Sequence, residues 1–252
     1  MSPIRMRTGL SRIPALFRDL LFPPRCVGCG ELMKPFSDID DDEIFCPLCR
    51  AAWESAVIEA APEAAADAER GRIYLVHYRP GHPDGVPEKL IYHIKHAGEK
   101  RVFAFVAGRL APRLLKTVAT LPAREPGGEE HPLLFTYPPR RRSAAREDGF
   151  DQAQQLAKAM AAACAGEYAS LIRRTRRGRA EQKTLDAEGR AHNAASAYVL
   201  APEAADTVRG RTVVICDDLC TTGATLNHCA SLLVTAGAGL VILCTVAQTG
   251  KK

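Results

Sequence analysis

The stretch VVICDDLCTTGAT, Val213 to Thr225, limits the fold more than any other part of the chain. TVVIC, which leads into the acids, is apolar at nearly every position, the pattern of a strand buried on both faces of a parallel sheet. Asp217 and Asp218 follow at its carboxyl end, where ligands bind in open α/β sheets. Two like charges side by side are costly unless a cation or hydroxyls meet them. A vicinal diol, with or without Mg²⁺, does so, because carboxylates accept hydrogen bonds from hydroxyls. Thr221, Thr222, Gly223, Ala224 and Thr225 then open a helix. The backbone N–H groups there, the threonine hydroxyls and the helix dipole make an anion seat, and Gly223 permits close approach. A diol at one end and a phosphate at the other describe a ribose 5-phosphate. No Gly-Lys-Ser/Thr ends the loop, so it is not a Walker A loop, and it is not a GxGxxG turn.

The surrounding pattern supplies the rest of an α/β fold. RIYLVHY, LLFTY, YASLI, AYVL and LVILCTVA read as strands. PEKLIYHIKHAGEK, RVFAFVAGRLAPRLLK, DGFDQAQQLAKAMAAAC and GATLNHCASLLVTAGAG read as helices, the third with Asp148 as N-cap. Alternating strands and helices predict a central parallel sheet with helices on both faces. The apolar helix from Phe103 to Leu115 is a candidate subunit interface. RRTRRGRAEQKTLDAEGRAHNAAS, from Arg173, is polar, basic and without apolar period, and a loop of that length is usually functional or disordered. Arg173 to Lys183 holds six bases against one acid, Glu181, which points to an anion. Pyrophosphate and single-stranded nucleic acid both qualify, although the basic loops offer almost no aromatics to stack bases.

Near the start, CVGCG (Cys26, Cys29) and CPLCR (Cys46, Cys49) are separated by sixteen residues. Two such knuckles place four thiolates around one tetrahedral Zn²⁺, a closed and therefore structural site. Gly28, Gly30 and Pro47 shape the turns. Iron–sulfur is the main alternative, and disulfides come third. Nine cysteines without a signal-peptide pattern point to a reducing, cytoplasmic compartment. The other five, Cys164, Cys216, Cys220, Cys229 and Cys244, sit in apolar contexts and read as buried thiols. Ahead of the knuckles, Ile13, Leu16, Phe17, Leu20 and Leu21 form one side of an amphipathic helix expected to pack on the body of the protein. No stretch is apolar enough for a membrane span. The formal net charge of +5 is too mild to imply nucleic acid by itself. The expected division is an N-terminal helix with a zinc-ribbon-like segment over 1–70 and an enzyme-like domain over 71–252.

Val213 to Thr225 resembles the phosphoribosyl pyrophosphate (PRPP) motif of type I phosphoribosyltransferases. The whole chain resembles one branch, the ComF family, on the paired CxxC knuckles, LIYHIKHAGEK, GFDQAQQLA and IRRTRRGRAEQKTLDAEGRAHNAASAYVL. The resemblance implies a type I phosphoribosyltransferase fold. It implies that Asp217 and Asp218 hold the ribose 2′- and 3′-hydroxyls and that Thr221 to Thr225 cradle the 5-phosphate. It also implies roles for Arg174, Gln182, Arg190 and Asn193 in a loop that closes over the site, and for Lys95 in binding PRPP. Asp148 stands where the family often carries Arg, beside the pyrophosphate loop of Tyr137 to Phe150. Arg146, or the run Arg140 to Arg142, is expected to supply that charge. The reaction so implied is transfer of a phosphoribosyl group, with Mg²⁺, to an acceptor the sequence does not name. A link to DNA uptake in natural transformation comes with the family. The alternative is a non-catalytic accessory that binds single-stranded DNA or competence proteins.

Overall fold

Thr212–Cys220 and Leu240–Thr249 lie side by side, in parallel, at the centre of the molecule. The computed structural model describes residues 23–33, 43–58, 63–64, 70–121, 131–175 and 197–249. In chain order these give α1 (Pro47–Ala56), β1 (Glu63–Ala64), β2 (Arg70–Ile73), β3 (Val76–Tyr78), α2 (Val86–His96) and α3 (Lys100–Thr120). They continue with β4 (Leu134–Thr136), α4 (Arg142–Glu147), α5 (Gln152–Ala163), β5 (Glu167–Tyr168), β6 (Ile172–Arg174) and β7 (Tyr198–Leu200). The chain closes with α6 (Ala204–Val208), β8 (Thr212–Cys220), α7 (Ala224–Thr235) and β9 (Leu240–Thr249).

The main sheet runs β1-β2-β9-β8-β4-β5, with β3 continuing along β9 beyond β2. Every pairing in it is parallel except β1 with β2. Successive β8 residues feed opposite faces, as strand geometry demands. Val214 and Cys216 join the core under α2, α3 and α5, while Val213 and Ile215 join the core under α7. Both faces are thus covered, which is why the strand is apolar throughout Val213 to Cys216. The single strand expected over RIYLVHY breaks in two at Tyr74. Its carbonyl leaves the ladder and accepts from Arg113 Nη1 on α3 at 2.7 Å, before Leu75 N–H rejoins at Val246 O.

The apolar side of the helix named as a candidate interface is a core element within this chain, and Leu115 stays exposed. Phe103, Phe105, Val106, Leu110 and Leu114 of α3 are buried within this chain. Its outer end meets the cysteine segment. Phe45 and Trp53 pack on Phe105, with ring centroids 5.3 and 5.9 Å away and both crossings edge-on. The segment therefore shares one continuous core with α2 and α3. Phe105→Ala is expected to cost about 3–5 kcal/mol in denaturant unfolding, because the cavity would open between two parts of the chain at once.

Three further differences follow from local chemistry. Asp151, not Asp148, caps α5, its Oδ1 accepting from Ala153 N–H at 3.1 Å and Gln154 N–H at 3.2 Å. The loop after β4 contains the short helix α4, whose C-cap is Asp148. The long basic segment is bracketed by an antiparallel ladder, Arg174 opposite Tyr198 and Ile172 opposite Leu200. The N-terminal amphipathic helix, Arg176, Arg177, Arg179, Gln182, Lys183, Arg190 and Asn193, and the side chain of Arg142 lie outside the described residues.

Candidate functional site

Strand β8 runs two residues past the acids, to Cys220. Asp217 and Asp218 therefore alternate on its last turns rather than following its end. Asp217, half-buried, has Thr245 of β9 beside it in register and lies within the electrostatic reach of Tyr198 on the α7 side. Asp218, 5% exposed, turns toward α2, where Lys95 Nζ stands 3.6 Å from its Oδ2. That oxygen has no hydrogen-bond partner. Burial, and then the charge of Asp218, push Asp217 well above the usual carboxylate range. Asp218 N–H donates to Asp217 Oδ1 at 2.9 Å, tying the pair together.

Immediately downstream, Thr221 and Thr222 are exposed and Gly223 takes φ 76°, in the left-handed region, as N-cap of α7. This conformation turns the chain from strand into helix within three residues. A side chain at Gly223 would be strained by this φ, and its Cβ would meet Asn227 Nδ2 at 3.3 Å, Arg72 Nη2 at 3.4 Å and Cys220 Sγ at 3.5 Å, contacts that flexible side chains can relax. Gly223→Ala is accordingly expected to lower stability by about 1–3 kcal/mol, read by thermal unfolding.

The segments that the sequence ties to the site do converge on it. Gly98, with φ 63°, follows α2 and lies under the Phe150 ring, so close that a Cβ would be 2.9 Å from it. That contact joins the HAG turn to the GFDQ turn. Asp148 is neutralised by Arg140, whose Nη1 donates to Oδ2 at 2.8 Å, and His96 Nδ1 is 3.6 Å from Oδ1. The Arg140 hydrogen bond holds the Asp148 carboxyl below its ordinary range. Arg140 N–H also donates to Asp151 Oδ2 at 2.9 Å. Of the bases expected to serve this loop, the Arg140 guanidinium is therefore committed to Asp148, while Arg141 and Arg146 are exposed. Arg174 sits at the base of the basic segment, its Nη1 donating to Tyr198 Oη at 2.8 Å and its guanidinium 5.1 Å from that ring. Two residues absent from the sequence reading also enter: Tyr198, which steadies Arg174, and Arg72 of β2, which reaches Gly223. The alternation of AYVL signals a strand at Tyr198, but nothing in the sequence announces Arg72.

At the other end of α2, the Sγ atoms of Cys26, Cys29, Cys46 and Cys49 lie within 4.8 Å of one another, and all four are free thiols. Tetrahedral Zn²⁺ with Zn–S near 2.3 Å sets sulfurs about 3.8 Å apart. Cys29 Sγ and Cys46 Sγ are 3.7 Å apart. The spacing suits one ion and is tight for a polynuclear cluster. Burial raises Cys26, but hydrogen bonds from the backbone of Cys46, Cys29 and Gly28 outweigh it and bring it down to about 7. Gly28 must be glycine, since a Cβ would stand 2.7 Å from Cys49 Sγ and 3.5 Å from Val86 Cγ2, at the first residue of α2.

Residues 148–252 match the family described as "Phosphoribosyl transferase domain". No curated protein sequence matches the chain. Similar solved structures include one titled as the allosteric regulatory enzyme of purine biosynthesis, at 15% identity and TM-score 0.35 over 62% of this chain and 30% of that one. The chain thus spans less than a third of that enzyme's length. TT1426 from Thermus thermophilus is similar at 18% identity and TM-score 0.33, over 60% of this chain and 84% of that one. An alanine mutant from an analysis of an invariant aspartic acid in HPRTs is similar at 15% identity and TM-score 0.34, over 59% of this chain and 67% of that one. Among the described residues no helix is long and apolar enough to cross a membrane. The acid pair, the Gly223 loop and β9 all fall within residues 148–252, and the match to that stretch supports a phosphoribosyltransferase-type protein, a transferase.

Proposed function

We propose that the protein binds PRPP with Mg²⁺ and transfers its phosphoribosyl group to an acceptor, as a ComF-like phosphoribosyltransferase. The observation that carries this reading is the buried Oδ2 of Asp218, which accepts no hydrogen bond and has only the Lys95 ammonium 3.6 Å away, beside Asp217 and one short loop from the left-handed Gly223 that opens α7. In this reading the two carboxylates accept the ribose 2′- and 3′-hydroxyls. Thr221, Thr222, Gly223, Ala224 and Thr225 cradle the 5-phosphate at the helix N-terminus. Lys95 hands Asp218 to the diol and stays nearby as a cation. Mg²⁺, when bound with the substrate, supplies positive charge to the departing pyrophosphate. Arg146 and Arg142 serve that same leaving group, in place of the base the family often has at position 148. Arg174, steadied by Tyr198, and Gln182 and Arg190 beyond it, belong to the segment that excludes water as the ribosyl centre gains positive charge.

The four cysteines hold a structural Zn²⁺ in an N-terminal segment, proposed as 1–70, which packs on the 71–252 domain through a shared core and lends β1 to its sheet. The proposed setting is cytoplasmic and linked to DNA uptake. Calorimetric titration of the zinc-loaded protein with PRPP and Mg²⁺ tests the reading. Saturable binding that disappears in Asp217→Asn/Asp218→Asn is expected. A folded wild type that does not bind PRPP, but binds single-stranded DNA with steep salt dependence, would replace this reading with the accessory one.

A further inference from the structure

Arg72 stands outside the matched residues, on the edge side of the sheet between β1 and β9. It is in register with Leu243, a member of the core under α7, so its side chain leaves the sheet on the α7 side. Its Nη2 lies 3.4 Å from where a Cβ on Gly223 would be. Its positive charge reaches the adjacent Cys220 thiol, countering part of the rise that burial gives that group. A guanidinium at the amino end of a helix meets the positive end of the dipole and is repelled by it. Among the described side chains none supplies Arg72 with a carboxylate. The Arg72 guanidinium stands beside the loop that opens α7, where Thr221 and Thr222 are exposed, and an anion seated in that loop would answer its charge.

We infer that Arg72 is a phosphate-binding residue, closing the Thr221–Thr225 cradle over the dianionic monoester of a ribose 5-phosphate from a strand that the matched segment does not include. The inference rests on the PRPP reading above and adds to it the residue that distinguishes a phosphorylated sugar from a bare one. Arginine suits the task because its planar fork meets two phosphate oxygens at once. The backbone of Arg72 is fixed by its pairing with β9, which sets the face from which the side chain leaves the sheet.

The test is calorimetry on the zinc-loaded full chain, comparing wild type, Arg72→Gln and Arg72→Lys with ribose 5-phosphate, PRPP, ribose, and pyrophosphate with Mg²⁺. Arg72→Gln is expected to weaken ribose 5-phosphate and PRPP by tenfold or more and leave pyrophosphate unchanged. Arg72→Lys should recover part of the loss. In wild type, ribose 5-phosphate affinity should climb as the phosphate takes its second charge near pH of about 6, and that climb should flatten in Arg72→Gln. Equal affinity of Arg72→Gln and wild type for ribose 5-phosphate, with binding still lost in Asp217→Asn, overturns this inference alone. The guanidinium would then serve the β1 ladder, where its register partner is Glu63. Equal weakening of pyrophosphate also overturns it, as general damage. Failure of wild type to bind either ribose ligand overturns the PRPP reading itself.

Discussion

Asp217→Asn/Asp218→Asn is expected to lower PRPP affinity at least 100-fold, while Asp217→Asn alone makes the ligand-free protein more stable at neutral pH. The first effect follows from losing charge-assisted hydrogen bonds to two hydroxyls, each worth about 1.5–3 kcal/mol. The second follows from the raised ionisation of Asp217, caused by burial and then by Asp218. In the unfolded chain this carboxyl loses its proton at an ordinary pH, whereas the folded chain retains it to a higher one. Between those two points the native state binds more protons, so stability falls as pH rises, by up to about 1.4 kcal/mol per pH unit for one group. Below the unfolded value the penalty is absent. Melting temperatures across pH 4 to 8 should therefore decline more steeply in wild type than in Asp217→Asn. A variant less stable than wild type at pH 7 would sink the like-charge account. Asp218→Asn is not expected to stabilise, because it removes the partner of Lys95.

Removing the metal should have the second large effect. Structural zinc in small domains contributes folding free energy outright, and here Cys26, Cys46 and Cys49 adjoin the shared aromatic core. A chelator, or Cys49→Ser, is expected to lower the melting temperature by about 10 °C or more, taking 2–4 °C per kcal/mol for a chain of this size. Trp53 is the only tryptophan in the chain and is fully buried, so its emission should shift to the red as the segment loosens. Metal analysis should give one zinc per chain. Release of that zinc with no change in Trp53 emission or melting would contradict a structural role for the site.

The local structure of this chain was legible where a few adjacent residues carry it. Val213 to Thr225 announced strand, acids, loop and helix in order, because a doubly buried strand needs a continuous apolar run and an anion seat needs small residues. The paired knuckles were legible for the same reason, since ligand spacing is local. What the sequence concealed depends on contacts between distant segments. Asp148 reads as an N-cap by its place before GFDQ, yet Asp151 caps α5, because Asp148 is taken by Arg140. The apolar helix at Phe103 gives no sign in the sequence of what covers it, and within the chain Phe45 and Trp53 arrive from a distant segment to do so. Arg72 carries no pattern at all, since the loop it approaches lies at the far end of the chain.

Helix α2 meets the Gly28 turn through Val86 in its first turn and Asp218 through Lys95 in its last. Its 11 residues make a strut of about 16 Å, too short to bend appreciably. Mechanically, the cysteine knuckle is the footing on which the ammonium is aimed. If the proposed ribose diol displaces this ammonium, the same helix joins the sugar to the knuckle. Metal affinity and sugar affinity are then reciprocal quantities, each shifting the other by the same factor, unless Lys95 can swing free of its helix without load.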